Sequence, residues 1–302
     1  MVRLLLCPSG VATERTLMDY VNPHEAINDA RAVAARKASL PTGQMLLRGA
    51  LAGVFLGYAT SLAMQIVAQG SPPILGAICF PVGFVMLVLL GLELATGNFA
   101  LLPIGHAPGE VQLRDVWRSW GWVYLGNLIG SLAYALLFYL AITNFGTSTG
   151  GALGDQLRRA AEAKSLAYMA LGAPGWGAAL IKGILCNWMV TVGVVLALVS
   201  RSAIGKIAAM WLPITTFFAH GYEHSIVNMF VIPAGMLLGA PVSISNWWLW
   251  NQIPVTAGNI IAGVLLTGIA FRVAYPRKAG SVAGTTGEAA VRFGPAAHVE
   301  PV

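Results

Sequence analysis

Charge is what this chain has least of. Only 10% of its 302 residues are Asp, Glu, Lys or Arg, against about 25% in a typical soluble domain. Together with 57% hydrophobic residues and a mean hydropathy of +0.71, that scarcity excludes an ordinary soluble globule and implies an integral membrane protein in a lipid bilayer. Cysteine is scarce too. Cys7, Cys79 and Cys186 show neither the number nor the CxxC spacing of a disulfide framework or zinc site, so they read as small apolar residues with free thiols. A secretory leader is not expected, because the apolar run Leu4–Cys7 is too short and polar sequence follows. Neither Gly-x-Ser-Gly nor His-Glu-x-x-His occurs, which argues against an intramembrane serine or metalloprotease. No catalytic residue, metal or cofactor is expected. The excess of Lys and Arg lies in loops and reflects topology, so no nucleic-acid partner is implied.

One stretch is present twice. Gly91-Leu-Glu93-Leu94-Ala95-Thr96-Gly97-Asn98-Phe-Ala-Leu-Leu-Pro103 aligns without a gap with Gly221-Tyr-Glu223-His224-Ser225-Ile-Val-Asn228-Met-Phe-Val-Ile-Pro233, the Gly, Glu, Asn and Pro recurring 130 positions apart. The duplication extends outward: Arg48-Gly49-Ala-Leu51 matches Lys182-Gly183-Ile-Leu185, and Gly126-Asn127-Leu-Ile matches Gly258-Asn259-Ile-Ile. Apolar runs of spanning length fall at about 46–68, 74–103, 117–143, 175–199, 207–238 and 252–274. The second and fifth, too long for one straight helix, each carry a copy of the motif. Three spans per half is an odd number, so the second half must cross the membrane inverted relative to the first. The predicted fold is therefore an all-α integral membrane protein of six transmembrane helices in two inverted three-helix repeats, with the second and fifth helices broken.

Fourteen of the 18 Lys and Arg lie on the N-terminal side of these spans, against Arg158, Arg159 and Lys164 on the other side. This bias places both termini in the cytoplasm of a multi-pass inner (plasma) membrane protein. Residues 1–44 form a cytoplasmic segment whose stretch 20–40 reads as a surface helix. Residues 45–274 form the channel domain (repeats 45–143 and 175–274), and 275–302 a disordered cytoplasmic tail rich in Gly, Ala and Pro.

The broken segments concentrate the polar residues. Glycines 91, 97 and 221 weaken the helix, and unwound backbone is tolerated in a bilayer only inside protein or along a water path. Half-helix N-termini meeting near the midplane offer a positive end to an anion. His224 is the group there that titrates near neutral pH, and its burial points to function. Glu93 and Glu223 read as loop supports that accept hydrogen bonds from free amides. Lys182, a cation inside the fourth span, either attracts anions or pairs with one of these carboxylates. Asn187, Asn228 and Asn259 read first as ties between helix breaks and neighbouring helices and second as direct substrate contacts, and Asn187 and Asn228 are placed on the substrate pathway. His220 is either a second titrating group or pore lining.

Four ordered motifs resemble the formate/nitrite transporter family: Gly91-Leu-Glu93-Leu-Ala95-Thr96-Gly97, Lys182-Gly-Ile-Leu-Cys186-Asn187-Trp-Met-Val, Gly221-Tyr-Glu223-His224-Ser225-Ile-Val-Asn228-Met-Phe and Ile253-Pro-Val-Thr-Ala-Gly-Asn259. The resemblance covers about 20–275. It implies an aquaporin-like fold, a homopentamer with one pore per protomer, and passage of small monovalent anions: formate or nitrite, and in some members lactate, acetate or hydrosulfide. It makes His224 the central histidine, Thr96 the loop threonine facing it, and Phe80 and Phe217 the aromatic constriction. The family's loop usually reads Leu-Phe-Thr-[Ser/Asn], whereas this chain has Leu94-Ala95-Thr96-Gly97. Losing that ring widens the narrow point, and Phe84, often Leu in other members, refills part of it.

A bare anion crosses apolar constrictions slowly because desolvating a charge is expensive. The expected route draws the anion in by Lys182 and helix ends, bonds it at His224 and Thr96, and neutralises it with a proton from His224 or water, so that flux is pH-dependent and proton-linked. Two alternatives stand beside this: a filter suited to larger monocarboxylates or hydrosulfide, and a neutral-solute channel of the aquaporin type. The latter is disfavoured because Asn98 is followed by Phe-Ala and Asn228 by Met-Phe rather than by Pro-Ala.

Overall fold

The structure, a computed structural model, describes residues 19–106 and 110–277. Cys7, residues 1–18 of the N-terminal segment and residues 278–302 of the predicted tail lie outside the described residues. Cys79 and Cys186 are free thiols.

Helices account for the architecture: α1 (Pro23–Ala38), α2 (Thr42–Ala68), α3 (Pro73–Cys79), α4 (Pro81–Leu89), α5 (Ala95–Gly105), α6 (Leu113–Ile142), α7 (Gly151–Lys164), α8 (Leu166–Ala170), α9 (Ala173–Leu196), α10 (Ala203–Ala219) and α11 (Ser225–Leu237). The last, α12 (Ile244–Ala274), is continuous but contains π-helical turns at Trp248–Gln252 and Ala262–Ile269. Among the described residues no strand forms, only isolated bridges between Tyr20 and Ser200 and between His106 and Val111. Four helices, α2, α6, α9 (extended to Val199) and α12, are long and apolar enough to cross a membrane. The other two predicted spans are each divided, one into α3, α4 and α5 and the other into α10 and α11.

The division follows from sequence. Gly91 and Gly221 both stand at φ +64°, where a Cβ is disfavoured. Each closes a Schellman-type end, with Leu92 N–H donating to Leu87 C=O and Tyr222 N–H to Phe217 C=O. Neither Cα has a neighbour within 4 Å of where a Cβ would sit. Gly221→Ala is therefore expected to lower stability by about 1 kcal/mol through backbone strain alone. Thermal unfolding of the purified protein checks this, and an unchanged midpoint contradicts it. Gly97, expected to add to the break, is the third residue of α5 and sits in regular helix. The unwinding ends two residues earlier because Ala95 N–H already has an acceptor in Asn127.

Small residues let the long helices approach closely. A Cβ on Gly130 would lie 1.9 Å from Ala50 C=O at the α2–α6 contact, and one on Gly258 2.2 Å from Leu180 C=O at the α9–α12 contact. The segment 20–40 does form a helix, capped by the Asn22 side chain with Pro23 in its first turn. It is not a free surface helix, however. Ala26, Ile27, Ala30 and Ala34 are buried and α1 packs on α5, because its alanine stripe is narrow enough to seat Ala34 against Gly105. The stretch between the third and fourth spans contains α7 and α8. There α7 packs on α11 with Ala161 against Gly235, the counterpart of the α1–α5 contact.

The Asp19 carboxylate accepts hydrogen bonds from Ser200 Oγ, Arg201 N–H and the N–H and Oγ of Ser202, tying the start of the described chain to the α9–α10 turn. Those bonds, the Ser200 one foremost, hold its carboxyl below the usual 3.8. A depressed folded value means that the tie is fully present above the ordinary aspartate range and is lost as pH falls through and below it. Hydrogen exchange at the Arg201 and Ser202 amides, relative to intrinsic rates, should rise on acidification below about pH 4. Flat protection would show that the tie is not ionic.

Candidate functional site

Two short loops, 90–94 between α4 and α5 and 220–224 between α10 and α11, bring the duplicated residues together, and their hydrogen bonds repeat atom for atom. Asn127 Oδ1 accepts from Ala95 N–H (2.9 Å), while its Nδ2 donates to Gly49 C=O and Glu93 C=O. Asn259 Oδ1 accepts from Ser225 N–H (3.0 Å), while its Nδ2 donates to Gly183 C=O and Glu223 C=O. Each asparagine, buried on a long helix, thus supplies both donor and acceptor to backbone that a helix break has left unpaired.

The carboxylates do something else. Glu93 and Glu223 are each 2% exposed, and among the described residues their donors are side chains rather than the free amides expected of them. Lys37 Nζ (2.8 Å) and Asn98 Nδ2 (2.8 Å) reach Glu93. Lys164 Nζ (2.8 Å), Asn228 Nδ2 (2.8 Å) and Tyr168 Oη (2.9 Å) reach Glu223, with Asn251 Nδ2 at 3.4 Å. The physical reason is that the asparagines have already taken the amides, and a buried carboxylate requires a counter-charge. Each pair fastens a loop to a peripheral helix, α1 or α7. Lys182 is neither carboxylate's cation. Its Nζ lies over the Tyr168 ring, 5.4 Å from the centroid, so the pairing alternative is not what the structure contains.

At the meeting of the loops, Thr96 Oγ1 lies 3.1 Å from His224 Nε2, and both residues are buried. His224 also caps α11: its Nδ1 accepts from Val227 N–H at 3.2 Å. Because Nδ1 is occupied as an acceptor, the ring proton of the neutral imidazole is assigned to Nε2, which aims it at Thr96. Asn187 Nδ2 donates to Thr96 C=O and Asn259 C=O, joining α9 to the site. Asn187 Oδ1 and Ser225 Oγ are buried without a partner among the described residues, leaving polar capacity beside the histidine. Phe217 stacks on His224 at 5.8 Å and meets Phe80 edge-on at 5.6 Å, while Phe218 stacks on Phe80 at 4.0 Å. His220 is exposed and stacks on Tyr222, one turn away from this cluster.

A cavity of about 530 Å³ opens on the side of α1 and is lined by Phe84, Leu94, Gly91, Gly97, Glu93 and Asn98 together with Arg36, Lys37, Arg48 and Lys206. Ala95, Thr96 and His224 do not line it, and neither does Lys182. Sequence reasoning had read none of the four basic residues gathered at this opening as drawing anions in, and had quoted Arg48 only as the repeat counterpart of Lys182. The ion-pair lysines Lys37 and Lys164 were missed as well. A signal existed: Ala34-Ala-Arg-Lys37-Ala-Ser39 and Ala160-Ala-Glu-Ala-Lys164-Ser165 are one more match between the halves, blurred by a one-residue shift.

The family model described as "Formate/nitrite transporter" matches residues 24–273. A probable formate transporter of Methanothermobacter thermautotrophicus is 32% identical over 272 residues, covering 85% of this chain and 97% of the relative. Among solved structures, an FNT family ion channel superposes with a TM-score of 0.71 at 28% identity, covering 83% of this chain and 99% of that one. A pentameric formate channel with formate bound gives 0.66 at 26% identity, covering 78% and 98%.

Proposed function

The chain belongs to the formate/nitrite transporter family, and on that premise we propose that it is a homopentameric, multi-pass membrane channel for formate, nitrite or a similarly small monocarboxylate. One observation carries this reading: the buried Thr96–His224 contact at the junction of two unwound loops, flanked by Phe80 and Phe217. In the proposed membrane frame, α2, α3–α5, α6, α9, α10–α11 and α12 are six crossings in two inverted halves (45–143 and 175–274) of a channel domain spanning 45–274, within the inner (plasma) membrane. Residues 1–44 and 275–302 are cytoplasmic. The repeated hydrogen-bond sets around Asn127 and Asn259 support the duplication. Substrate class and pentamer follow from the relatives, whose names include a formate transporter and a pentameric formate channel.

The proposed route begins in the basic cavity, where Arg36, Arg48 and Lys206 raise the local anion concentration. Lys182 is left a secondary role on the Tyr168 side, and Asn228 supports the loop rather than the substrate. The anion then reaches Nε2–H of His224 and the Thr96 hydroxyl, with Leu94 on one side and Phe80 and Phe217 on the other excluding bulk water. A neutral Nε2–H imidazole donates a hydrogen bond but cannot give up its only proton unless Nδ1 gains one, and Nδ1 faces the Val227 N–H. The geometry therefore favours water as the source of the neutralising proton, with His224 stabilising the species as charge leaves it. The protonated acid passes the aromatic ring and releases its proton beyond it. No step forms or breaks a carbon bond, so no enzymatic role is assigned.

Stopped-flow uptake into proteoliposomes with an internal pH dye, over external pH 5 to 8, tests this reading. Formate or nitrite entry accompanied by internal acidification supports it. Water or glycerol permeation without anion flux contradicts it. A second reading, preference for acetate or lactate, rests on Ala95 in place of the family's aromatic and on Phe84 lining the cavity. If Phe84 sets the filter, Phe84→Leu raises lactate flux relative to formate by about tenfold, the scale on which an apolar pocket discriminates by size. An unchanged ratio removes Phe84 from the selectivity argument.

A further inference from the structure

Apart from the channel, a second cavity of about 230 Å³ lies where α1, the end of α5 and the end of α12 converge, lined by Arg31, Ile104, Gly105, His106, Arg272, Pro276 and Arg277. We propose that this cavity is a binding site for a phosphate-bearing anion. Three guanidiniums meet here against one nearby carboxylate, Glu110, which is held by Arg277. Arg31 is 7% exposed and fixed by bonds to Asn28 Oδ1 and to Tyr275 C=O, and Arg272 is held by the His106 carbonyl. These partners of Arg31 and Arg272 are all neutral, so among the described residues neither guanidinium is in an ion pair, and Glu110 offsets the Arg31 charge only from a distance. Burial and the neighbouring Arg277 and Arg272 charges depress Arg31 below its usual value, the electrostatic state that a bound dianion would relieve.

The donor set fits phosphate better than a small carboxylate. Guanidiniums present planar pairs of N–H groups that match phosphate oxygens two at a time, and several converging on one volume suit a tetrahedral group. The volume is below that of a drug-sized pocket and suits a single head group. Basic pockets between helices on the cytoplasmic side are suited to anionic lipid heads, and Ile269 and Val273 beside Arg272 are exposed at 46% and 73%, giving an acyl chain an apolar surface. A free phosphate ion would use the same arginines without that surface.

The test uses the full chain, purified in neutral detergent at fixed ionic strength, and follows thermal unfolding against three titrants: dioctanoyl phosphatidic acid, inorganic phosphate and dioctanoylglycerol. Saturable stabilisation is expected from a phosphate-bearing titrant, with apparent affinity reduced at least tenfold in the Arg272→Gln/Arg277→Gln double variant. A response to phosphatidic acid alone identifies a lipid source, and a response to inorganic phosphate as well identifies a soluble one. No stabilisation by either, equal stabilisation of the variant, or an equal response to dioctanoylglycerol overturns the proposal. Should the double variant fail to fold, Arg277→Gln, at an exposed position, is read in the same way.

Discussion

Replacing His224 with phenylalanine lowers anion flux by roughly 10- to 100-fold. The size follows from losing a hydrogen bond to a charged or partly charged partner, about 1.5–3 kcal/mol, at about 1.4 kcal/mol per tenfold in rate. The same substitution removes the acceptor for Val227 N–H, so it also costs about 1 kcal/mol as a lost helix cap. Asparagine separates the two effects. It is among the best capping residues but lacks the imidazole, so His224→Asn should keep most of the stability and still lose the flux. Uptake by both variants across pH 5 to 8, with unfolding measured in parallel, decides the matter. Wild-type flux in His224→Asn would remove the histidine from the permeation step.

Lys37→Met is expected to destabilise the protein by about 3 kcal/mol, the lower end of the cost of breaking a buried ion pair from one side. The lower end applies because Lys37 retains 17% of its side-chain exposure and solvent softens the penalty. It leaves Glu93 with Asn98 Nδ2 as its one remaining donor among the described residues. Lys164→Met should cost less, because Glu223 keeps bonds from Tyr168, Asn228 and Asn251. Adding Glu93→Gln to Lys37→Met should recover at least half the loss, since what destabilises is the stranded charge rather than the missing pair. Denaturant unfolding of these three variants, two single and one double, gives the answer. A Lys37→Met midpoint equal to wild type would mean that the pair contributes nothing to holding the loop. Because that loop positions Leu94, Ala95 and Thr96, flux should fall together with stability.

Some of the site is legible in the residues themselves. Gly91 and Gly221 mark the helix ends because a positive φ selects glycine, a local property written in single residues. The buried asparagines 127 and 259 are visible as repeated letters, yet their function requires the atoms: one side chain bonding both to a neighbouring helix and to a loop 34 or 36 residues away. Gly97 misleads, since a glycine in a regular helix looks the same in sequence as one in a turn.

The sequence by itself determined the membrane class, the duplication and the two polar loops, because hydropathy, repeated residues and glycine conformations are properties of short stretches. Tertiary structure alone decided which cation faces which carboxylate. Lys37 and Lys164 lie 56 and 59 positions from Glu93 and Glu223, on amphipathic helices whose docking depends on alanine fitting against glycine. Lys182, the cation that composition made conspicuous, faces an aromatic ring instead. The assignment of the histidine's tautomer rests in the same way on tertiary structure, on a backbone N–H that exists at that point only because a helix begins there.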